Sequence, residues 1–196
     1  MLRDDYFDEF ISIGKQIHTI ESALYIEDEV KLWDYGIINA GVRLSHFQHK
    51  DFSSIRPEPR ISGSYFLNNV TSVKASYALM NQYIHLLSNT GIGLPTDLWV
   101  PATSKVPSQD TWQTALGLVR DVPRYNVTLS LEGYHKVSKD IIAYKEGASF
   151  LQIDAPELGF EMSWEDNVTN GQGWSYGVEF LAHKKSGQLS GWVGYT

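Results

Sequence analysis

Cysteine is absent from all 196 residues, which excludes a disulfide framework, a thiol nucleophile and thiolate metal sites. Long apolar runs are absent as well. Nothing approaches the roughly 18 consecutive apolar residues of a membrane helix. Arg3, Asp4 and Asp5 follow Met1 and Leu2 directly, so no signal peptide is visible. Neither absence bears on a transmembrane barrel, whose strands alternate and never form such a run. Basic charge is scarce: 16 Lys and Arg stand against 23 Asp and Glu, a formal net charge of −7. Nucleic acid needs a basic face, so no nucleic-acid partner is expected. There is no nucleophile elbow, phosphate loop or dinucleotide fingerprint. No enzyme activity and no cofactor are expected.

What is abundant is aromatic side chains, 13% of the chain, together with 16 Gly. That pairing suits many strands with wet faces rather than a helical core. A period of two runs through most of the sequence. Ile38, Ala40, Val42 and Leu44 alternate with Asn39, Gly41, Arg43 and Ser45. Ile61, Gly63, Tyr65 and Leu67 alternate with Arg60, Ser62, Ser64 and Phe66. The same holds for Val73 to Leu79, Val127 to Glu132 and Trp174 to Phe180, and less cleanly for Ser22 to Leu32 and Thr111 to Arg120. The polar set carries Arg43, Arg60, Lys74, Glu132 and Glu179. In a soluble sandwich these charges face solvent; in a lipid-embedded barrel they face the lumen.

Short turns are expected at 33–36, 67–70, 122–126 and 185–188, and longer polar connections at about 49–57, 83–110 and 146–171. Short and long alternate, the order of an up-and-down barrel with tight turns at one end and long loops at the other. Trp33, Tyr35, Phe47, Tyr65, Phe66, Trp112, Tyr125, Tyr144 and Trp174 crowd the strand ends, as an interfacial aromatic girdle requires. Lys74 to Ser88 resists, because Tyr77, Met80, Ile84 and Leu87 have near-helical spacing. A strand through Asn81 followed by a short helical turn or loop over 83–88 is expected there. His46 and His49 fall on opposite faces of a strand and cannot chelate together, so no metal site is expected. Glu27 and Glu29 share a face, as glycosidase carboxylates do, but two lumen-facing acids near a strand end explain them as well.

The segments Pro57–Phe66, Thr96–Pro101, Gly171–Phe180, Lys184–Gly187 and Ser190–Thr196, in that order and hairpin spacing, resemble the barrel of TonB-dependent outer-membrane receptors, most of all those of Bacteroidetes type. Ala23–Glu29 followed by Gly41–Ser45 resembles paired strands earlier in such barrels. The resemblance covers about residues 17–196. It implies an all-β, antiparallel up-and-down meander of about eight strands, a partial transmembrane β-barrel from the inner part of the barrel domain. It also implies that plug domain and terminal strands lie outside residues 1–196. The expected location is the bacterial outer membrane, and the expected role is uptake of a scarce nutrient such as a siderophore, cobalamin or a glycan. The expected partners are outer-membrane lipid, a plug domain, the TonB energy-transducing complex and a small nutrient ligand. Tyr83, His85, Trp99, Phe150, Phe160 and Trp164, in the long connections, are the candidate ligand contacts. Two other readings stay open on the residues alone: a soluble carbohydrate-binding β-sandwich and a secreted β-rich hydrolase.

Overall fold

The structure is a computed structural model and describes residues 17–88, 97–146 and 164–196. Its strands are β1 (Ile20–Leu32), β2 (Gly36–His49), β3 (Phe52–Asn68), β4 (Thr71–Gln82), β5 (Ile84–Ser88), β6 (Asp97–Pro101), β7 (Gln109–Val122), β8 (Val127–Tyr144), β9 (Val168–Lys184) and β10 (Gly191–Tyr195). Eight of them form one sheet in the order β1-β2-β3-β4-β7-β8-β9-β10, and β5 pairs with β6 in a separate hairpin. Every pairing is antiparallel. Each strand of the large sheet lies beside its chain neighbour, with the β5–β6 hairpin as the single insertion between β4 and β7. A sandwich needs two packed sheets joined by crossing connections. This is an open meander, a partial barrel, and the sandwich reading is overturned.

Turn chemistry closes the short end. In the β1–β2 turn Trp33 takes the left-handed conformation (φ 47°), and the Tyr35 N–H donates to the Leu32 carbonyl at 2.9 Å. Between β3 and β4 the Asn68 side chain accepts from the Val70 N–H at 3.0 Å, the local bond that makes Asn a turn former. Between β7 and β8, Pro123 begins a 3-10 turn and Asn126 ends it in the left-handed region (φ 53°). Asn tolerates that conformation better than most residues.

Two expectations are corrected. The span 49–57 is mostly strand. β2 and β3 stay paired out to His49–Phe52, and a two-residue turn at Lys50–Asp51, with Lys50 left-handed (φ 50°), joins them. The segment 84–88 is a strand, not a helical turn, because cross-strand bonding to Asp97–Pro101 outweighs a weak helical spacing.

The register sorts every side chain onto a face. Ile38, Val42 and Leu44 of β2 stand opposite Gly63, Pro59 and Pro57, on the face of β3 that carries Ile61 and Tyr65. The same face continues through Val73 and Tyr77, Leu116 and Leu118, Leu129 and Leu131, to Val178 and Phe180. One unbroken cross-strand row reads Leu32, Gly36, Tyr65, Val73, Leu118, Leu131, Phe180, Tyr195. These residues are not a core, since most of this face is solvent-exposed, with Leu116 at 62%. On β9 the face is apolar from Ala182 to Trp174, about 26 Å of strand. Toward the long-connection end it closes with the row Leu79, Trp112, Val137, Trp174 and, directly beyond, the polar row Asn81, Asp110, Lys139, Gln172. Asp28, Thr114 and His135 interrupt the apolar face. The Trp112 ring meets the His135 ring edge-on at 5.2 Å.

Prolines shape one seam. β3 pairs with β2 from Phe52 to Tyr65, but its ladder with β4 ends at Arg60–Ala78. The next residue is Pro59, and Pro57 follows two further on. Proline has no N–H to donate, so pairing with β4 stops where the first proline would have to contribute. β4 runs on to Gln82 bound only to β7.

Candidate functional site: the polar face and the mouth

The opposite face of the sheet gathers the expected charges. Arg43 and Arg60 lie on the same side through the β2–β3 register, Lys74 through β3–β4, and Glu132 and Glu179 through β7–β8 and β8–β9. Glu27 and Glu29 of β1 share that side. Between the charges lie small residues: Asn39, Ser62, Ser64, Ser76 and Gly117. This face is the concave one. Glu29 and Glu132 line the same concavity of about 310 Å³, with Lys74 and Ser76, although five interstrand steps, roughly 24 Å of sheet, separate β1 from β8.

Local geometry at Glu132 follows from a glycine. A Cβ on Gly117 would sit 3.3 Å from Glu132 Oε2, so the carboxylate leans over the bare backbone toward Lys74. Glu132 stands directly opposite Glu179. Like charges in that position repel, and no ion pair to a described residue relieves either one. Such an arrangement suits a face that meets water or a second polar body.

Buried residues concentrate at the long-connection end. Phe47 of β2 is fully buried, stacked on Tyr83 with ring centroids 4.9 Å apart and planes 3° from parallel. Ala102 and Phe52 complete that cluster. The Ser45 hydroxyl donates to Glu58 Oε1 at 2.8 Å, and its oxygen lies 2.8 Å from the Tyr83 hydroxyl. With the serine proton committed, Tyr83 is the donor to Ser45. Burial pushes the Tyr83 hydroxyl pKa up and the Glu58 charge adds to this, so Tyr83 keeps the proton it donates. Arg43 reaches Glu58 at 3.7 Å and Glu21 at 3.3 Å. A second cluster joins Leu87, Val100 and Val106 to Ile142 and Val168, with Leu98, Tyr144 and Trp164 packed on it.

The candidate ligand contacts are therefore not brought together. The Tyr83 ring is 2% exposed and packed face to face on Phe47, so it has no free face for a ligand. His85 is also 2% exposed, and its Nε2–H donates to the Pro107 carbonyl at 3.1 Å. Trp164 is half-buried against the second cluster. Trp99, at 62% exposure, is the one of the four with an open surface; it pairs with Leu86 across the hairpin. Phe150 and Phe160 lie outside the described residues. The positions that sequence reasoning missed are Ser45, Phe47 and Glu58. Alternation put Ser45 on the polar face and left Glu58 unassigned, and Phe47, expected in the aromatic girdle, is instead buried under Tyr83; nothing local announces that a distant segment covers them.

His85 gives the hairpin a pH dependence. Burial lowers its pKa below the ordinary 6.5, and the Pro107 bond only partly offsets this. The unfolded hairpin therefore takes up a proton first as pH falls. The stability that His85 contributes is complete above about pH 6.5 and is lost as pH drops through the folded value. Protection from deuterium exchange over 84–88 and 97–101, taken relative to the intrinsic exchange rate at each pH, is expected to fall between pH 7.5 and pH 5.5, and His85→Gln to flatten that dependence.

No family model and no curated protein matches the chain. Solved structures do. The chain is similar to the alcaligin outer-membrane receptor FauA from Bordetella pertussis at 12% identity and a TM-score of 0.57, covering 91% of this chain and 31% of that one. It is similar to the FrpB iron transporter from Neisseria meningitidis (F3-3 variant) at 15% identity and a TM-score of 0.61, covering 97% and 27%. It is also similar to the siderophore receptor PirA from Pseudomonas aeruginosa at 16% identity and a TM-score of 0.54, covering 90% and 34%. The chain thus spans about a third or less of the length of each of these three structures. An exposed apolar face, a polar concave face and neighbour-to-neighbour pairing agree with these likenesses, and the fold is that of a stretch of antiparallel β-barrel wall.

Proposed function

We propose that this chain is part of the barrel wall of a TonB-dependent outer-membrane receptor that takes up a scarce nutrient. The observation that carries the reading is the division of one open sheet into an exposed apolar face and a polar concave face. So large an apolar surface is abnormal against water and ordinary against lipid. Unpaired strand edges in hydrocarbon cost several kcal/mol per lost backbone bond, so the edges of β1 and β10 call for further strands. In this reading the wall turns Arg43, Arg60, Lys74, Glu132 and Glu179 toward the lumen, where they meet water and a plug domain. The chain supplies wall and mouth, not chemistry, and is no enzyme.

The similar structures are an alcaligin receptor, an iron transporter and a siderophore receptor, which favours an iron chelate over cobalamin or a glycan as cargo. The Bacteroidetes type and the inner-barrel position rest on the sequence segments given above. The test uses the full-length protein that carries this segment, expressed in a bacterium starved of iron. Heat-modifiable migration of the outer-membrane protein, with ferric-chelate uptake that stops when the proton-motive force is collapsed, is the expected result. A monomer that stays soluble without detergent overturns the membrane reading. An outer-membrane protein that takes up only a glycan or cobalamin overturns the choice of cargo.

A further inference from the structure

The outward face of the sheet is apolar over most of β7, β8 and β9, and its polar interruptions there fall together. Thr114 of β7 stands opposite His135 of β8, and His135 stands opposite Tyr176 of β9. Two positions further toward the long-connection end comes the row Trp112, Val137, Trp174. The trio offers two hydroxyls and an imidazole, and none of the three makes a side-chain hydrogen bond to a described residue. A donor left unpaired against hydrocarbon is costly, so a polar group on a membrane face calls for a partner.

The chemistry on either side of this trio is ordered along β8. In the next row toward the short turns, Gly133 stands between Leu116 and Val178. Its missing side chain opens a depression of about 600 Å³ whose outward lining is Thr114, Leu116, Gly133, His135, Tyr176 and Val178. A Cβ built on Gly133 meets nothing nearer than the Gly177 carbonyl oxygen at 3.9 Å, so no neighbour fills the space. Beyond the tryptophans, Lys139 lies between Asp110 and Gln172. Arg56 engages Asp110 at 3.8 Å, whereas Lys139 is exposed and forms no ion pair with a described residue. Over about 20 Å of strand, the order is apolar hollow, hydrogen-bond donors, tryptophans, unpaired cation. A membrane lipid carries the complementary order of acyl chain, ester carbonyls and anionic headgroup.

We propose that the outward surface of β7–β9 is a binding site for one membrane lipid with an anionic phosphate headgroup. An acyl chain lies in the hollow over Gly133. The ester carbonyls accept hydrogen bonds from Thr114, His135 and Tyr176, and the phosphate meets Lys139. The proposal rests on the membrane reading of this face and adds to it a single, saturable position where a bare wall would hold lipid without preference.

The experiment is native mass spectrometry of the full-length protein in a non-ionic detergent. Phosphatidylglycerol is titrated in, and phosphatidylcholine with the same acyl chains is the comparison. One phosphatidylglycerol per protein is expected to be retained in preference to phosphatidylcholine. Lys139→Gln is expected to lower that preference about fivefold, the effect of one cation at a membrane surface. Gly133→Leu, which fills the hollow, is expected to abolish retention of both lipids. His135→Phe, which keeps a ring but removes the donor, is expected to weaken both about fivefold, the worth of one hydrogen bond. Gly63→Leu, on the same face but three strands away, is expected to change nothing. Heat-modifiable migration shows that each variant folds. Equal retention of the two lipids by the parent, or unchanged retention by Gly133→Leu and His135→Phe, overturns the site. A dimer that excludes lipid and that Gly133→Leu breaks overturns it in favour of a second copy of the chain. A protein that is soluble without detergent contradicts the membrane reading itself, whereas a folded membrane barrel that retains no lipid sinks only the lipid site.

Discussion

Phe47→Ala is expected to cost about 3–5 kcal/mol, the usual penalty for removing a buried aromatic ring. Phe47 has no exposed surface. It touches Tyr83 face to face, Phe52 at a tilt and Ala102, so its loss leaves a cavity that backbone ladders on either side cannot collapse. The loss is expected to be local. β2 remains paired to β1 and β3 through the full register, and what fails is the seat of the β4–β7 connection. Protease sensitivity between Tyr83 and Ser108 is expected to appear while the wall stays intact. Phe47→Leu keeps most of the volume and is expected to lose a fraction of that cost. The measurement is limited proteolysis of the folded protein in detergent, with cleavage sites read by mass spectrometry.

On the proposed receptor reading Leu116→Arg is expected to cost about 2–4 kcal/mol, the penalty for a cation at mid-depth on a lipid-facing wall. Leu116 is central in the exposed apolar face, with Ala75 and Gly133 as its cross-strand neighbours. Neither neighbour offers an acid to pair with. Lys74→Gln, on the other face, is expected to cost less than about 1 kcal/mol, since an exposed charge near water contributes little. Equilibrium unfolding of the full-length protein in lipid vesicles measures both. Equal penalties would mean that the two faces do not see different solvents.

The sheet was legible because alternation is a local property. The period of two assigned Arg43, Arg60, Lys74, Glu132 and Glu179 to one side, and the cross-strand register puts all five there. Residues 49–57 were harder. Ser53, Ser54 and Pro57 look like a loop, and only pairing to β2 shows that a strand can carry Pro57 and Pro59 along a seam with no ladder beside it. The segment 84–88 was harder still. Five residues hold too few periods to separate strand from helix, and its partner lies beyond residue 96. The mouth was the least legible part. Tyr83 and His85 look like exposed loop residues until Phe47 and Pro107, 36 and 22 positions away, are brought against them. Sequence spacing carries no record of such contacts.

The central claim is that one face of this sheet meets hydrocarbon and the other meets an aqueous lumen, and a cysteine scan along β9 tests it most directly. Positions 174 to 181 are replaced one at a time in the full-length protein in native outer membranes. Each is exposed to a water-soluble maleimide and, separately, to a lipid-soluble one. The account predicts strict alternation: Ser175, Gly177, Glu179 and Leu181 positions label from water, and Trp174, Tyr176, Val178 and Phe180 positions label from lipid. Uniform labelling from water along the whole strand, or protection of the apolar set from both reagents, would contradict it.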